Sequence, residues 1–272
     1  MDNTVIKSVG YDQHEIIRDI LNLYCEGKSV DCDMTYSIGN FYGDFTEKVT
    51  VKNEDGTTSV ENVNYRLDPP RYKFDVCPLS DDVVKIEPDG PLPLDDGSIG
   101  ILVCDLPFVI SVGPSLDTPD VDENGNRATN NMISRRFACY YPVAELLSSY
   151  KHWIEEISRV LKANGVAIFK CQDVVTGGKN LCSTYWSWLC GQANGLELVD
   201  SFRLIAKQRL ISGKVKSQQH ARRYDSAFLV FRKTPNKNIR YFDFMEEDEL
   251  NMFIDGLKKT WLSKKKKNIQ DR

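Results

Sequence analysis

The residues best suited to chemistry stand where apolar runs end. Asp33 lies in the short run Ser29 to Thr35, Asp68 follows Val63 to Leu67, and Asp105 follows the nearly continuous apolar run Ser98 to Cys104. A carboxylate offers two acceptor oxygens to a ligand, although an Asp in such a place also serves as a turn residue or helix cap. After Asp33 the chain reads Thr35, Tyr36, Gly39 and Phe41, and a strand feeding a one-glycine turn lets the backbone approach a bound group. After Asp105 come Leu106, Pro107 and Phe108. Pro107 biases Leu106 toward extended angles and so directs its carbonyl. Four consecutive residues thus present a carboxylate, an aimed carbonyl and an aromatic face.

These residues need elements to position them. The 272 residues, 41% of them hydrophobic, suffice for one α/β domain with appendages. Helical spacing of apolar residues predicts an opening helix from His14 to Tyr24 with Gly27 as its stop, and a second from Val143 to Leu161. Ser98 to Cys104 and Val166 to Lys170 read as buried parallel strands. Val49 to Val63, with its Asn53-Glu54-Asp55-Gly56 turn, reads as a hairpin or excursion before a core strand Val63 to Leu67. Leu196 to Ala206 and Ser226 to Phe231 look like paired closing strands, and a short helix is expected near Glu249 to Leu262. Alternating strands and helices imply a mostly parallel sheet with ligands at its carboxyl edge.

Composition narrows the setting. A net charge of -4 gives no global pull toward phosphate, so a nucleic-acid surface would be a local concentration of Lys and Arg. The eight cysteines, without CxxC pairs or a His cluster, read as free buried thiols of a reducing cytosol and imply no metal. No apolar stretch reaches the roughly 20 residues of a membrane span, and the N-terminus lacks signal-peptide character.

Asp33 to Phe41 resembles the cofactor motif Asp-Pro-Thr-x-Gly-x-Gly-x-Phe of class I, S-adenosylmethionine-dependent methyltransferases, with Met34 where Pro is common and Ser37 where the first Gly is expected. Asp105-Leu106-Pro107-Phe108 resembles the Asp-Pro-Pro-Phe tetrad of amino-directed DNA methyltransferases of phage and bacterial type. Glu155 to Gly165 is similar to their Glu-x-x-Arg-Val-Leu-Lys-Pro-Gly-Gly element. Phe169 to Asp173 with Gly177 to Lys179, and Gln218 to Lys233, resemble further segments of the same enzymes.

The resemblance covers most of residues 14 to 233 and implies a Rossmann-like class I methyltransferase fold: a mostly parallel seven-stranded sheet with helices on both faces. It implies S-adenosyl-L-methionine as cofactor, with Asp33, Thr35, Tyr36, Gly39 and Phe41 forming its loop. Asp68 then accepts the ribose hydroxyls and Asp75 sits near the adenine amine. Asp105 and the Leu106 carbonyl become acceptors for an exocyclic amine, Pro107 shapes the turn, and Phe108 stacks on an extruded base. Lys170 and Gln172 face the target-base pocket, and His220, Arg222 and Arg223 contact phosphates or its surroundings.

Residues 1–235 are then the catalytic domain with an inserted loop 113–141 over the site, and 236–272 an appendage ending in the basic tail Lys264 to Lys267. Sequence recognition falls to 113–141, with Arg127, Arg135 and Arg136, or to Lys179 to Arg223, with Trp186 and Trp188. The implied substrate is double-stranded DNA with the base extruded, adenine before cytosine, in the cytoplasm of a bacterial or phage-infected cell. Alternatives are methylation of RNA or of the cytosine amine, and a noncatalytic nucleic-acid-binding relative. A dinucleotide-binding oxidoreductase suits the alternation but lacks a GxGxxG loop.

Overall fold

Asp12 starts the first helix. Its carboxylate accepts the backbone N–H of His14 at 2.7 Å, satisfying a donor that a helix N-terminus leaves open, and α1 spans Gln13–Tyr24. Gly27, at φ 69°, closes the helix with its N–H on the Leu21 carbonyl at 3.0 Å. The computed structural model describes residues 5–53, 55–108, 143–176, 178–207, 220–221, 223–234, 252 and 255–256. The inserted loop 113–141, Arg222, the helix expected near Glu249 to Leu262 but for three residues, and the tail Lys264 to Lys267 lie outside them.

The strands in chain order are β1 (Val9–Gly10), β2 (Cys32–Asp33), β3 (Gly43–Lys52), β4 (Thr58–Leu67), β5 (Tyr72–Asp75), β6 (Val84–Lys85) and β7 (Ile99–Asp105). Helix α2 (Val143–Val160) then leads into β8 (Leu161–Cys171), β9 (Val174–Thr176) and β10 (Lys179–Leu181), and α3 (Ser183–Ala193) into β11 (Leu196–Ile205) and β12 (Asp225–Lys233). The central sheet has the order β1-β11-β12-β8-β7-β2-β5-β6. Strands β6, β5, β2, β7 and β8 are parallel neighbours, while β12 runs antiparallel between β8 and β11. This is a Rossmann-like α/β fold. It has eight strands rather than the expected seven, because residues 9–10 add a parallel edge to β11, where Arg203 N–H donates to the Ser8 carbonyl at 2.7 Å. Two residues are too few to show a period.

Strand alternation divides the core. Ile101, Val103, Val166, Ile168, Phe228 and Val230 face α1, whose buried residues are Ile16, Ile17, Ile20 and Leu21. Leu102, Cys104, Ala167, Phe169, Leu229 and Phe231 face the other way, onto α2 residues such as Tyr150, Trp153 and Ile157 and onto α3. Trp186 lies on that side, buried, with its indole N–H donating to the Leu147 carbonyl at 3.0 Å. It is a core residue and not part of a recognition surface.

The segment Val63 to Leu67 is not a core strand. It belongs to β4, which pairs only with β3 in a separate two-stranded ribbon over the Asn53 to Gly56 turn. The strand that lies beside β2 on the side away from β7 is β5, ending at Asp75. Of the described cysteines, Cys25, Cys32, Cys104, Cys171 and Cys190 are buried free thiols, but Cys77 and Cys182 are exposed, because they fall in connections just past strand ends. No helix of the described residues is long and apolar enough to cross a membrane.

The Glu155 to Gly165 element has a structural task. The Arg159 guanidinium binds the carbonyls of Leu92 and Leu94 at 2.9 and 2.8 Å and the carboxylates of Glu156 and Asp96. Glu156 in turn accepts the Leu92 N–H at 2.8 Å. Together they fasten the 92–96 loop to α2 just before β7 begins. Asn164 takes the left-handed φ of 63°, and a side chain at Gly165 would meet the Lys162 carbonyl at 2.9 Å and that of Gly100 at 3.1 Å, so glycine is needed there. Arg159→Ala is expected to lower stability by about 2 kcal/mol, since hydrogen bonds to charged groups are lost and carbonyls left without donors. A urea-melt difference below about 0.5 kcal/mol would show that solvent replaces the guanidinium.

Candidate active site

The loop leaving β2 is built around one buried carboxylate. Asp33 is 1% exposed and accepts from Thr35 N–H at 2.8 Å, Thr35 Oγ1 at 3.2 Å and the Tyr42 hydroxyl at 2.8 Å. Burial pushes its carboxyl up to about 7, with the nearby Asp105 adding to the rise and the three donors opposing it. Burial and the Asp33 charge likewise push the Tyr42 phenol well up. Asp33 therefore shapes the turn from within.

Ser37 and Gly39 take φ values of 52° and 74°. Ser37 thus holds the left-handed conformation for which glycine is suited, at a cost of order 1 kcal/mol. Its N–H donates to Asp75 Oδ2 at 2.8 Å, which binds the loop to the end of β5. The other Asp75 oxygen accepts the Cys77 N–H at 2.8 Å, and partial burial raises the carboxyl. Tyr36 stacks on Tyr42, with ring centroids 5.5 Å apart. Phe41 is buried against Phe228.

Thr35 joins this loop to the end of β7. While its hydroxyl donates to Asp33, the same oxygen accepts the Asp105 N–H at 2.7 Å. Leu106 is buried in the α2-side core, and the Pro107 carbonyl accepts the Tyr150 hydroxyl at 3.3 Å. Phe108 is half-buried. The register of β7 and β8 sets Lys170 opposite Asp105, and Lys170 Nζ donates to Asp105 Oδ2 at 2.8 Å.

Asp33, Thr35, Tyr36, Gly39, Phe41, Asp75, Asp105, Leu106, Pro107, Phe108 and Lys170 therefore gather at the carboxyl ends of β2, β5, β7 and β8. Asp68 stands apart, exposed at the end of the ribbon and paired with Arg66 Nε at 2.7 Å. Gln172 is turned to the sheet, where its amide donates to the Asp225 carbonyl at 2.6 Å. His220 and Arg223 flank the β9–β10 hairpin. His220 Nε2 is 3.8 Å from where a Gly178 Cβ would be, and Arg223 donates to Asn180 Oδ1 at 2.6 Å.

Three residues that sequence reasoning missed also support the site. Tyr150 reaches Pro107 from α2, Gln13 lies beside Lys170, and His14 holds the loop. His14 Nε2 meets the Asn40 carbonyl at 2.8 Å, its Nδ1 meets Asp12 at 2.8 Å, and its ring stacks on Phe45 with centroids 3.9 Å apart. Nothing in the sequence marks them, because the contacts to Pro107, Lys170 and Asn40 join distant segments. No group of three or more His, Cys, Asp or Glu able to hold a metal ion occurs among the described residues.

No family model matches the chain. No curated protein matches it either. Solved structures similar to it include the PvuII DNA methyltransferase, described as cytosine-N4-specific, at 14% identity over 52% of this chain and 45% of that one, with a TM-score of 0.35. A candidate DNA modification methylase of Thermus thermophilus, complexed with S-adenosyl-L-methionine, is 11% identical over 57% of this chain and 54% of that one, with a TM-score of 0.33. A methyltransferase candidate bound to the Trm112 activator of Haloferax volcanii is 12% identical over 60% and 71%, with a TM-score of 0.34. The chain spans about half the length of the first two. Its own sheet order, rather than these likenesses, defines the fold.

Proposed function

We propose that this protein transfers a methyl group from S-adenosyl-L-methionine to the exocyclic amino group of adenine in double-stranded DNA, with the target base extruded from the duplex. The observation that carries the reading is the tetrad Asp105-Leu106-Pro107-Phe108 at the carboxyl end of the central strand, its backbone fastened to the β2 loop through Thr35.

The residues present fit the cofactor. The left-handed angles at Ser37 and Gly39 turn the chain after Asp33, with the Tyr36 ring against Gly39 and Phe41 beside the turn. Asp75 Oδ2 accepts the Ser37 N–H and Oδ1 the Cys77 N–H, with the Val76 N–H also turned to the carboxylate, whose two oxygens have room for a further donor. Asp75, at the sheet position first expected of Asp68, would take the ribose hydroxyls. When bound, the cofactor supplies a methyl group on a positively charged sulfur.

The chain's own residues do the rest. An exocyclic amine is a poor nucleophile because its lone pair is delocalised into the ring. Asp105 and the Leu106 carbonyl accept its hydrogens and favour a pyramidal nitrogen, and Phe108 supplies a stacking face for the base. Leu106 in place of the usual Pro costs little, because its side chain is buried and Pro107 still directs its carbonyl. Residues 1–235 form the catalytic unit in this reading, working in a reducing cytosol. In this reading His220, Arg222 and Arg223 contact phosphates or the surroundings of the extruded base.

Incubation of the purified protein with unmethylated genomic DNA and methyl-labelled cofactor, followed by nucleoside mass spectrometry, tests the reaction and the base together. Labelled N6-methyladenosine of the deoxy series is the expected product. Labelled N4-methylcytidine of that series would move the assignment to the cytosine amine. No incorporation into DNA, with cofactor binding intact, would transfer the search to RNA; absent cofactor binding would leave a noncatalytic nucleic-acid-binding protein.

A further inference from the structure

We propose that Lys170 is a positioning residue for Asp105 and not a contact to the substrate, its ammonium committing one carboxylate oxygen so that the other faces the amine. The inference rests on the reading of Asp105 as the amine acceptor.

The sheet imposes the pair. Asp105 and Lys170 are register partners on adjacent parallel strands, and Lys170 is also the register partner of Phe228 on β12. All three side chains share the face that α1 covers, as the alternation of Val103, Ile168 and Phe228 requires. Lys170 Nζ lies 2.8 Å from Asp105 Oδ2 and 3.4 Å from Gln13 Oε1, and it stands over the rings of Phe41 at 5.2 Å and Phe228 at 5.4 Å. A carboxylate, an amide oxygen and two aromatic faces enclose the ammonium, and only 12% of the Lys170 side chain is exposed. The ammonium is thus committed to partners of the fold itself rather than left in solvent.

The consequence lies in how the Asp105 oxygens are divided. A carboxylate that turns freely presents its acceptor lone pairs in many directions, whereas one with Oδ2 bound to a caged ammonium has a fixed plane and leaves Oδ1 for a donor. Acceptors fixed before the substrate arrives need no reorganisation during the reaction.

The test compares Lys170→Met and Lys170→Arg, alone and combined with Asp105→Ala, which removes the acceptor of the Lys170 ammonium, on duplex DNA with saturating cofactor. Lys170→Met is expected to lower kcat by roughly 10- to 100-fold with KM for DNA changed less than about threefold, and Lys170→Arg to recover most of it. In the Asp105→Ala background the Met substitution should cost little more, since the two residues act as one unit. A raised KM with kcat unchanged, or effects that multiply in the double variant, would overturn the proposal in favour of a direct substrate contact. Should Lys170→Met not fold, Lys170→Gln carries the same comparison. A second measurement stands apart from any activity: brief labelling with an amine-reactive reagent, in which Lys170 should react several-fold faster in Asp105→Ala than in the native protein. Unchanged labelling refutes the pair itself, whereas faster labelling with no methylation by the native protein refutes the assigned reaction and leaves the pair standing.

Discussion

Asp105→Ala is expected to reduce methyl transfer by about 10²- to 10³-fold, the range for loss of one preorganised polar contact to a reacting group, while cofactor affinity changes by less than about twofold. The asymmetry follows from which atoms of Asp105 serve which partner. Its backbone N–H binds Thr35 Oγ1 and so supports the loop after β2, and that contact survives truncation of the side chain. Its carboxylate faces Lys170 and, in the proposed reaction, accepts from the amine, and it alone is removed.

The substitution also leaves Lys170 without its counter-ion in a half-enclosed place. Because the two side chains are 12% and 25% exposed, the resulting loss of stability should be on the order of 1–3 kcal/mol, below the value for a fully buried pair. Asp105→Asn controls for this, since its amide oxygen still accepts from Lys170. Single-turnover rates and cofactor titrations of the two variants separate chemistry from folding. A native rate in Asp105→Ala would remove the tetrad from the reaction.

The parts of the fold that the sequence discloses are those whose burial repeats along one element. His14 to Tyr24 and Val143 to Leu161 state their helical period and the run before Asp105 its continuous burial, and each becomes the element expected but for Leu161, which opens β8. Val63 to Leu67 misleads because the return strand of a ribbon and a strand of the central sheet share the same period of two. The true neighbour of β2 is four residues long, follows Pro69-Pro70 and alternates Tyr, Lys and Phe, so little marks it as part of the sheet. Placing Asp68 at the end of a sheet strand follows from that same likeness; it is Asp75 that stands there.

The candidate site is legible where it is local, as in Asp105 to Phe108 and the turn after Asp33. It is not legible where it depends on register. The Lys170 pair spans 65 positions and the Gln172 contact to Asp225 spans 53. Lys170 and Gln172 look alike in sequence, two polar residues at the end of one strand, yet their partners lie on opposite sides of β8. Lys170 reaches Asp105 on β7, whereas Gln172 spends its amide on the β12 carbonyl of Asp225.

Asp33 should give this protein a pH dependence of stability opposite to that of an ordinary ion-paired carboxylate. Its folded-state value of about 7 lies above the 3.8 of an unhindered carboxyl. Between those values the folded chain holds a proton that the unfolded chain has lost, so the Asp33 contribution to stability falls as pH rises from about 4 to about 7 and is level above that. At about 1.4 kcal/mol per unit the accumulated penalty is a few kcal/mol, an upper figure because the donors from Thr35 and Tyr42 already serve the ionised form. Asp33→Asn keeps the shape and an acceptor for Thr35 N–H but cannot ionise. The difference between native and variant isolates Asp33 from every other titrating group, and in urea melts at roughly pH 5, 6, 7 and 8 it should move toward the variant as pH rises. If the difference instead stayed constant, or moved toward the native protein, Asp33 would be ionised throughout. The hydrogen bonds of the loop would then outweigh burial, and the turn that supports Asp105 would rest on a buried charge rather than on a shared proton.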